Sequence, residues 1–164
     1  MRQVTNKFVL AFMIFATMVL NADEKFTEQE RKERYQMGQV GKFIKDCVFE
    51  KDSNACQIAI AQFAELGYSP DKCNKGEFWA DFCFMIAATY GQAGNYFMKH
   101  KYNEVLCHIR QIPDQCSEAG FNYFGGKGVR QDYGLAKQYH GKACDLGDQV
   151  SCDIYRKMNE AGVR

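Results

Sequence analysis

Apolar residues recur along most of this chain at intervals of three and four, the spacing of one face of an α-helix. Val40, Phe43, Ile44 and Cys47 share such a face, downstream of Thr27 and Glu30, which have the spacing of a capping box. An N-terminal helix is therefore predicted over about 27–46. Tyr133, Leu135, Ala136, Tyr139 and Ala143 form another stripe, opened by Asp132 as N-cap and closed by Gly147. Asp148 starts a helix that carries Cys152, Ile154 and Tyr155 and ends near Gly162. Asn95 starts one running to about Ile109, with Pro113 beyond its end. No stretch alternates with the period of two that a half-buried strand shows, so the chain reads as all-α.

The pattern repeats. Eight cysteines fall as Cys47 and Cys56, Cys73 and Cys83, Cys107 and Cys116, and Cys144 and Cys152, which lie 9, 10, 9 and 8 positions apart. Three residues after the second member of each pair stand Ala59, Ile86, Ala119 and Tyr155, and seven after it Phe63, Tyr90, Tyr123 and Asn159. A glycine follows each time: Gly67, Gly94, Gly126 and Gly162. Eight cysteines allow on the order of a hundred connectivities, and the shared neighbourhood argues for the all-local one. Cys116 to Cys152 spans 36 positions and Cys107 to Cys144 spans 37, against 26 and 34 for the earlier first cysteines. A period in the thirties means a stack of two-helix units, here about 47–164, with the front units trimmed. Between Cys56 and Cys73 there is too little chain for helix, loop and helix, so Gly67 to Asp71 is predicted as a loop replacing one.

The first residues set the compartment. Arg2 and Lys7 precede 13 uncharged residues from Phe8 to Leu20, and Leu20-Asn21-Ala22 leads into Asp23. That is a signal peptide over 1–22, too short in its apolar part to span a bilayer. The mature chain, 23–164, is expected to be secreted or periplasmic, where disulfides persist, with no insertion in a membrane after cleavage. Cleavage leaves 19 basic residues against 20 acidic ones, a balance that gives nucleic acid no electrostatic hold.

From Gly120 to Gly147 the sequence resembles a Sel1-like repeat. The resemblance is carried by Gly120, the run Tyr123-Phe124-Gly125-Gly126-Lys127-Gly128-Val129-Arg130-Gln131-Asp132, then Ala136, Tyr139, Lys142, Ala143 and Gly147. With Cys144 and Cys152 it is similar to the cysteine-rich secreted branch of that family, the Helicobacter cysteine-rich proteins. The likeness is specific over 116–152, degenerate over 73–116 and weak over 47–73. It implies a short right-handed α/α superhelix, a solenoid of the Sel1 and TPR type, whose hairpins are each stapled by a disulfide across seven intervening residues. Cys144 and Cys152 keep that spacing; the other three pairs are one or two residues longer. The resemblance also implies penicillin binding and slow hydrolysis of penicillins and cephalosporins, a β-lactamase activity.

The residues themselves name no catalytic machinery. Ser69-Pro70-Asp71-Lys72 has the Ser-x-x-Lys spacing of serine β-lactamases, but no Ser-Asp-Asn or Lys-Thr-Gly accompanies it, and Pro70 is expected to break the turn between Ser69 and Lys72. His100, His108 and His140 lack the paired spacing of metal ligands, and no metal or cofactor is expected. Phe78-Trp79-Ala80-Asp81-Phe82-Cys83-Phe84, followed by Tyr90, Tyr96 and Phe97, is dense in aromatics, most of them expected in the core. Trp79 is the first choice to line a groove. Two functional classes follow: a non-enzymatic scaffold binding a peptide or protein segment, and a binder or slow hydrolase of β-lactams or peptidoglycan fragments.

Overall fold

The computed structural model describes residues 27–77 and 79–164, without the side chains of Gln29, Glu30, Glu33 and Arg34. The signal peptide expected over 1–22, Phe78 and the Glu30 half of the capping box lie outside the described residues. Eight helices follow one another among the described residues, with no strand. They are α1 (Glu28–Val48), α2 (Ser53–Glu65), α3 (Pro70–Asn74), α4 (Ala80–Gln92), α5 (Tyr96–Arg110), α6 (Pro113–Gly125), α7 (Tyr133–Asp145) and α8 (Gln149–Glu160).

Short polar side chains start α2, α3, α5, α7 and α8 by accepting from backbone N–H groups that no carbonyl can reach, whereas α4 and α6 begin after Trp79 and Ile112 without a side-chain cap. Asp52 accepts from the N–H of Asn54 at 2.8 Å, Asn95 from Met98 at 3.1 Å, Asp132 from Leu135 at 2.9 Å and Asp148 from Val150 at 3.1 Å. The exit from α6 is a left-handed turn, with φ of 69° at Gly126 and 78° at Gly128, a region that a β-carbon makes costly.

The chain divides into two compact units, 1–39 and 40–164. The described part of the first is the start of α1. In the second, each helix from α4 onward packs on its successor, while α2 lies against α4 and α3 against α5. One core cluster joins Val40, Ile44, Phe63, Ile86, Tyr102 and Leu106. A second joins Cys107, Cys116, Ala119, Tyr139 and Ala143. This is an all-α, solenoid-like stack, in which each unit buries its apolar stripe against its neighbours.

The four disulfides are Cys47–Cys56 between α1 and α2, Cys73–Cys83 between α3 and α4, Cys107–Cys116 between α5 and α6, and Cys144–Cys152 between α7 and α8. Each closes a loop of about ten residues, which stabilises by about 2–3 kcal/mol through chain entropy. Such bonds persist in an oxidising compartment. Among the described residues no helix is long and apolar enough to cross a membrane.

Two expectations are overturned. Gly67 to Ser69 is loop, but within the segment predicted as one the five-residue helix α3 begins at Pro70. Ser69 is its N-cap, with Oγ accepting from the Lys72 N–H at 3.3 Å. Pro70 occupies the first helical turn, where a missing N–H loses no hydrogen bond. Pro70 therefore begins the turn it was expected to break. The aromatics expected in the core are mostly outside it: Tyr90 is buried and Phe82 packs against the cluster, but Trp79, Phe84, Tyr96 and Phe97 are exposed. The buried residues of α4 are Cys83, Ile86, Ala87, Thr89 and Tyr90, Phe82 and Met85 flank them in partial contact with the core, and Phe84 on the other side of the helix faces solvent.

Candidate functional site

Helices α4 and α6 flank α5 and leave a cleft of about 370 Å³ between them. Phe84, Ala87 and Gly91 face it from α4, spaced by three and four so that they share one side of that helix. Lys99 and Asn103 come from α5, and Gln115 and Glu118 from α6, again one turn apart in each case. Lys99 Nζ reaches Glu118 Oε1 at 2.5 Å, an ion pair across the mouth. A β-carbon at Gly91 would come within 2.9 Å of Lys99 Cδ, so this glycine gives the lysine stem its path. Because the pair cancels its own charge, the cleft is electrically near neutral. Phe84 supplies exposed apolar surface beside it.

Asn103 stands at the inner end of this cleft, 1% exposed, with no hydrogen-bond partner for either amide atom. An unsatisfied buried amide costs about 1–3 kcal/mol. Gln115 is 8% exposed on the facing helix.

A different side of α5 carries a hydrogen-bonded network. Tyr123 and Tyr139 each donate to Glu104 Oε1 at 2.9 Å, and Lys101 donates to Oε2 at 3.3 Å. His100 Nε2 lies 3.4 Å from Oε1. His108 Nε2 is 3.0 Å from the Tyr139 hydroxyl, and Lys142 Nζ is 2.9 Å from His108 Nδ1. Since the Tyr139 proton goes to Glu104 and Lys142 can only donate, His108 is the neutral tautomer with its proton on Nε2. Burial lowers the His108 pKa first and Lys142 lowers it further, while Glu104 opposes them. Burial also works against the Glu104 charge, but His100, Tyr123 and Tyr139 outweigh it and hold the carboxyl down to about 2. Tyr123 is pushed up to about 12 by burial, then by the Glu104 hydrogen bond and charge. Tyr139 is raised by the same causes, burial first. Near neutral pH the carboxylate stays ionised and both phenols stay protonated. The group ties α5, α6 and α7 together, and none of the three is poised as a general acid or base.

A pH dependence follows. The Glu104 pKa is lower in the folded chain than its ordinary 4.5. Its contribution is therefore complete above about pH 4.5 and lost as pH falls through about 2. Glu104→Gln is expected to lower stability near neutrality by about 2 kcal/mol and to flatten the acid limb of the stability curve. Urea denaturation from neutral pH to the acid range checks this, and parallel curves for the two proteins would refute it.

His140 and Ser151 recreate the residue types of a hydrolytic triad with the wrong roles. Ser151 Oγ lies 3.0 Å from His140 Nδ1, 2.6 Å from Asp148 Oδ2 and 3.1 Å from Ser117 Oγ. Asp148 is the N-cap of α8, and it holds the serine rather than orienting the imidazole. Both Ser151 and His140 are fully buried, so no substrate meets the hydroxyl.

The residues singled out from sequence are placed apart. Ser69 caps α3, and its Oγ accepts from a backbone N–H. Trp79 stands at the start of α4, 71% exposed, and is not among the residues lining the cleft, where the aromatic is Phe84. His100 and His108 both border the Glu104 network, and His140 lies in a separate arrangement with Ser151. Among the described residues no group of three or more His, Cys, Asp or Glu is placed to hold a metal ion. Asn103, Gln115 and Glu104 were missed. Asn103 and His140 each precede the first cysteine of a pair by four, and Gln115 and Ser151 each precede the second by one, but the first two pairs do not share this pattern and Glu104 has no counterpart in the next repeat. Comparison with protein-family models, curated proteins and solved structures returns no match for this chain.

Proposed function

We propose that this chain is a divergent Sel1-like repeat protein, secreted or periplasmic, that binds a peptide or protein segment or a cell-wall fragment without transforming it. The cleft between α4, α5 and α6 carries the reading: it is a preformed concavity with an aromatic flank, on a stack braced by disulfides. Export is supported by the leader-like start and by four disulfides that a reducing cytosol would not maintain.

Slow β-lactam hydrolysis, which the family resemblance implies, is the competing reading. The described residues offer it no accessible nucleophile beside a base, since Ser151 is buried and the Ser69 hydroxyl serves a helix cap. The exported, oxidised protein is expected to enrich binders from a random dodecapeptide phage library and to leave a chromogenic cephalosporin intact. Ser69→Ala should cost about 1 kcal/mol of stability through the lost cap and change neither result. No enrichment over the reduced protein would refute the peptide-binding form of the scaffold reading and leave the cell-wall fragment as its ligand. Cephalosporin turnover that co-purifies with the protein and disappears in Ser69→Ala would establish the hydrolase.

A further inference from the structure

We infer that His140, held between α6 and α8, is an acid-sensitive latch: a second proton on its imidazole undocks the last hairpin, α7 with α8, from α6. The tautomer follows from counting protons. Asp148 is ionised near neutral pH, its carboxyl held down first by the hydrogen bond from Ser151, and a carboxylate can only accept. Ser151 has one hydroxyl proton, and Asp148 Oδ2, 2.6 Å away, takes it. Ser117, 3.1 Å from Ser151 Oγ, carries a proton of its own. The 3.0 Å bond between Ser151 Oγ and His140 Nδ1 is then donated by the imidazole. Neutral His140 therefore carries its proton on Nδ1 and leaves Nε2 bare.

Nε2 is closed in from the α6 side. It is buried without a hydrogen-bond partner, in a side chain that is fully buried. That edge of the ring lies on Gly120, where a β-carbon would come within 2.9 Å of Nε2 and Cδ2 and 3.0 Å of Cε1. The Phe121 ring stands beside it at 80°, with centroids 4.8 Å apart. A proton added at Nε2 creates a charged N–H with no acceptor in a dry contact, a strongly unfavourable state. From α6 the ring meets Gly120 and Phe121, and from α8 it meets Ser151 and the nearby Asp148. Asp148 is the charged group among these and favours the cation, but burial outweighs it and lowers the His140 pKa. The undocked hairpin takes up the proton at the ordinary value. Docking is therefore complete above about pH 6.5 and weakens as pH falls below it.

The response is confined to this hairpin. It ends the stack, so parting α6 from α7 releases it, while Cys144–Cys152 keeps α7 and α8 together. The residue at the same place in the preceding hairpin is Asn103, which does not titrate. Undocking also breaks the bond from Tyr139 to Glu104, but that carboxyl titrates at about 2 in the folded chain, far below this range. His108, which contacts Tyr139 and Lys142 of α7, has a lowered pKa and acts with the same sign, so it needs its own control.

Hydrogen exchange of the oxidised protein is measured by NMR from about pH 7.5 to about pH 5, corrected for the intrinsic pH dependence of exchange, together with the imidazole nitrogen shifts of His140. Amides of α7 and α8 are expected to lose protection about tenfold or more per pH unit below about pH 6, while those of α4 hold. His140→Asn keeps an N–H donor for Ser151 but does not titrate here, and it should remove most of that loss. His108→Gln should retain it. The nitrogen shifts should place the proton on Nδ1 and none on Nε2 at neutral pH. A proton on Nε2, protection that does not fall, or a loss shared equally by α4 would each overturn the inference. So would a loss that vanishes in His108→Gln and persists in His140→Asn. Should His140→Asn fail to fold, the tautomer, His108→Gln and the contrast of α7 and α8 with α4 still decide.

Discussion

Gly128→Ala is expected to destabilise the fold by about 3 kcal/mol or more, from positive-φ strain of about 1–2 and overpacking of about 1–3. Two independent constraints meet at this residue. Its φ is 78°, in the left-handed region. A β-carbon built there would also run into the carbonyl of Tyr96 and lie 2.7 Å from the backbone nitrogen of Phe97. Those are backbone atoms in the first turn of α5, and they cannot swing aside as the end of a lysine could. The turn between α6 and α7 is thus docked directly on the start of α5, and Lys127 Nζ reinforces the contact from 4.1 Å above the Tyr96 ring. Gly125 is the matching control: it ends α6, its φ is not positive, and an added β-carbon meets nothing within 4 Å. Gly125→Ala should be neutral or stabilise by up to about 1 kcal/mol through helix propensity. Urea denaturation followed by circular dichroism separates the two. Equal stability of Gly128→Ala and wild type would show that the turn does not sit against α5.

The contrast between these two glycines also measures what the sequence could disclose. Local signals were legible because the groups concerned lie within one turn of each other. Asp132 reaches Leu135, Asn95 reaches Met98, and neither depends on the rest of the chain. The all-α class and the stacked hairpins follow from the same short-range pattern. Ser69-Pro70 misled because proline breaks a helix interior yet suits its first turn, and only the position of the N-cap decides which applies. The aromatics misled for a different reason. A 13-residue helix buries one stripe, and Phe84 differs from Ile86 only in the direction it points from α4. Glu104 and Asn103 were out of reach for a third. The partners of Glu104, Tyr123 and Tyr139, lie 19 and 35 residues away, and the significance of Asn103 is that nothing arrives to meet it. Gly128 stood in the repeat signature, but that it carries a contact 31–32 residues distant could not be read from the signature itself.

Removing the staple between α5 and α6 is expected to cost more than removing the one between α7 and α8, and to change how the protein unfolds. Both bonds close loops of about ten residues, so chain entropy alone gives about 2–3 kcal/mol for either. Burial sets them apart. Cys107 and Cys116 are fully buried and belong to the second core cluster, whereas Cys144 and Cys152 are both partly exposed. Cys107→Ala with Cys116→Ala therefore also leaves a cavity in the core, bringing the loss to about 4 kcal/mol. Cys144→Ser should stay near 2–3 kcal/mol. Position in the stack then decides cooperativity. In an array held by nearest-neighbour contacts, weakening an inner junction lets the two sides unfold separately, while weakening a terminal one frays the end. The inner double variant should show two urea transitions, with the amides of α7 and α8 losing hydrogen-exchange protection before those of α4. The terminal variant should show a single transition at lower urea and early exchange confined to α8. A single transition shared by both variants with equal losses would mean that the hairpins fold as one undivided core, and that the repeats seen in the sequence are not units of stability.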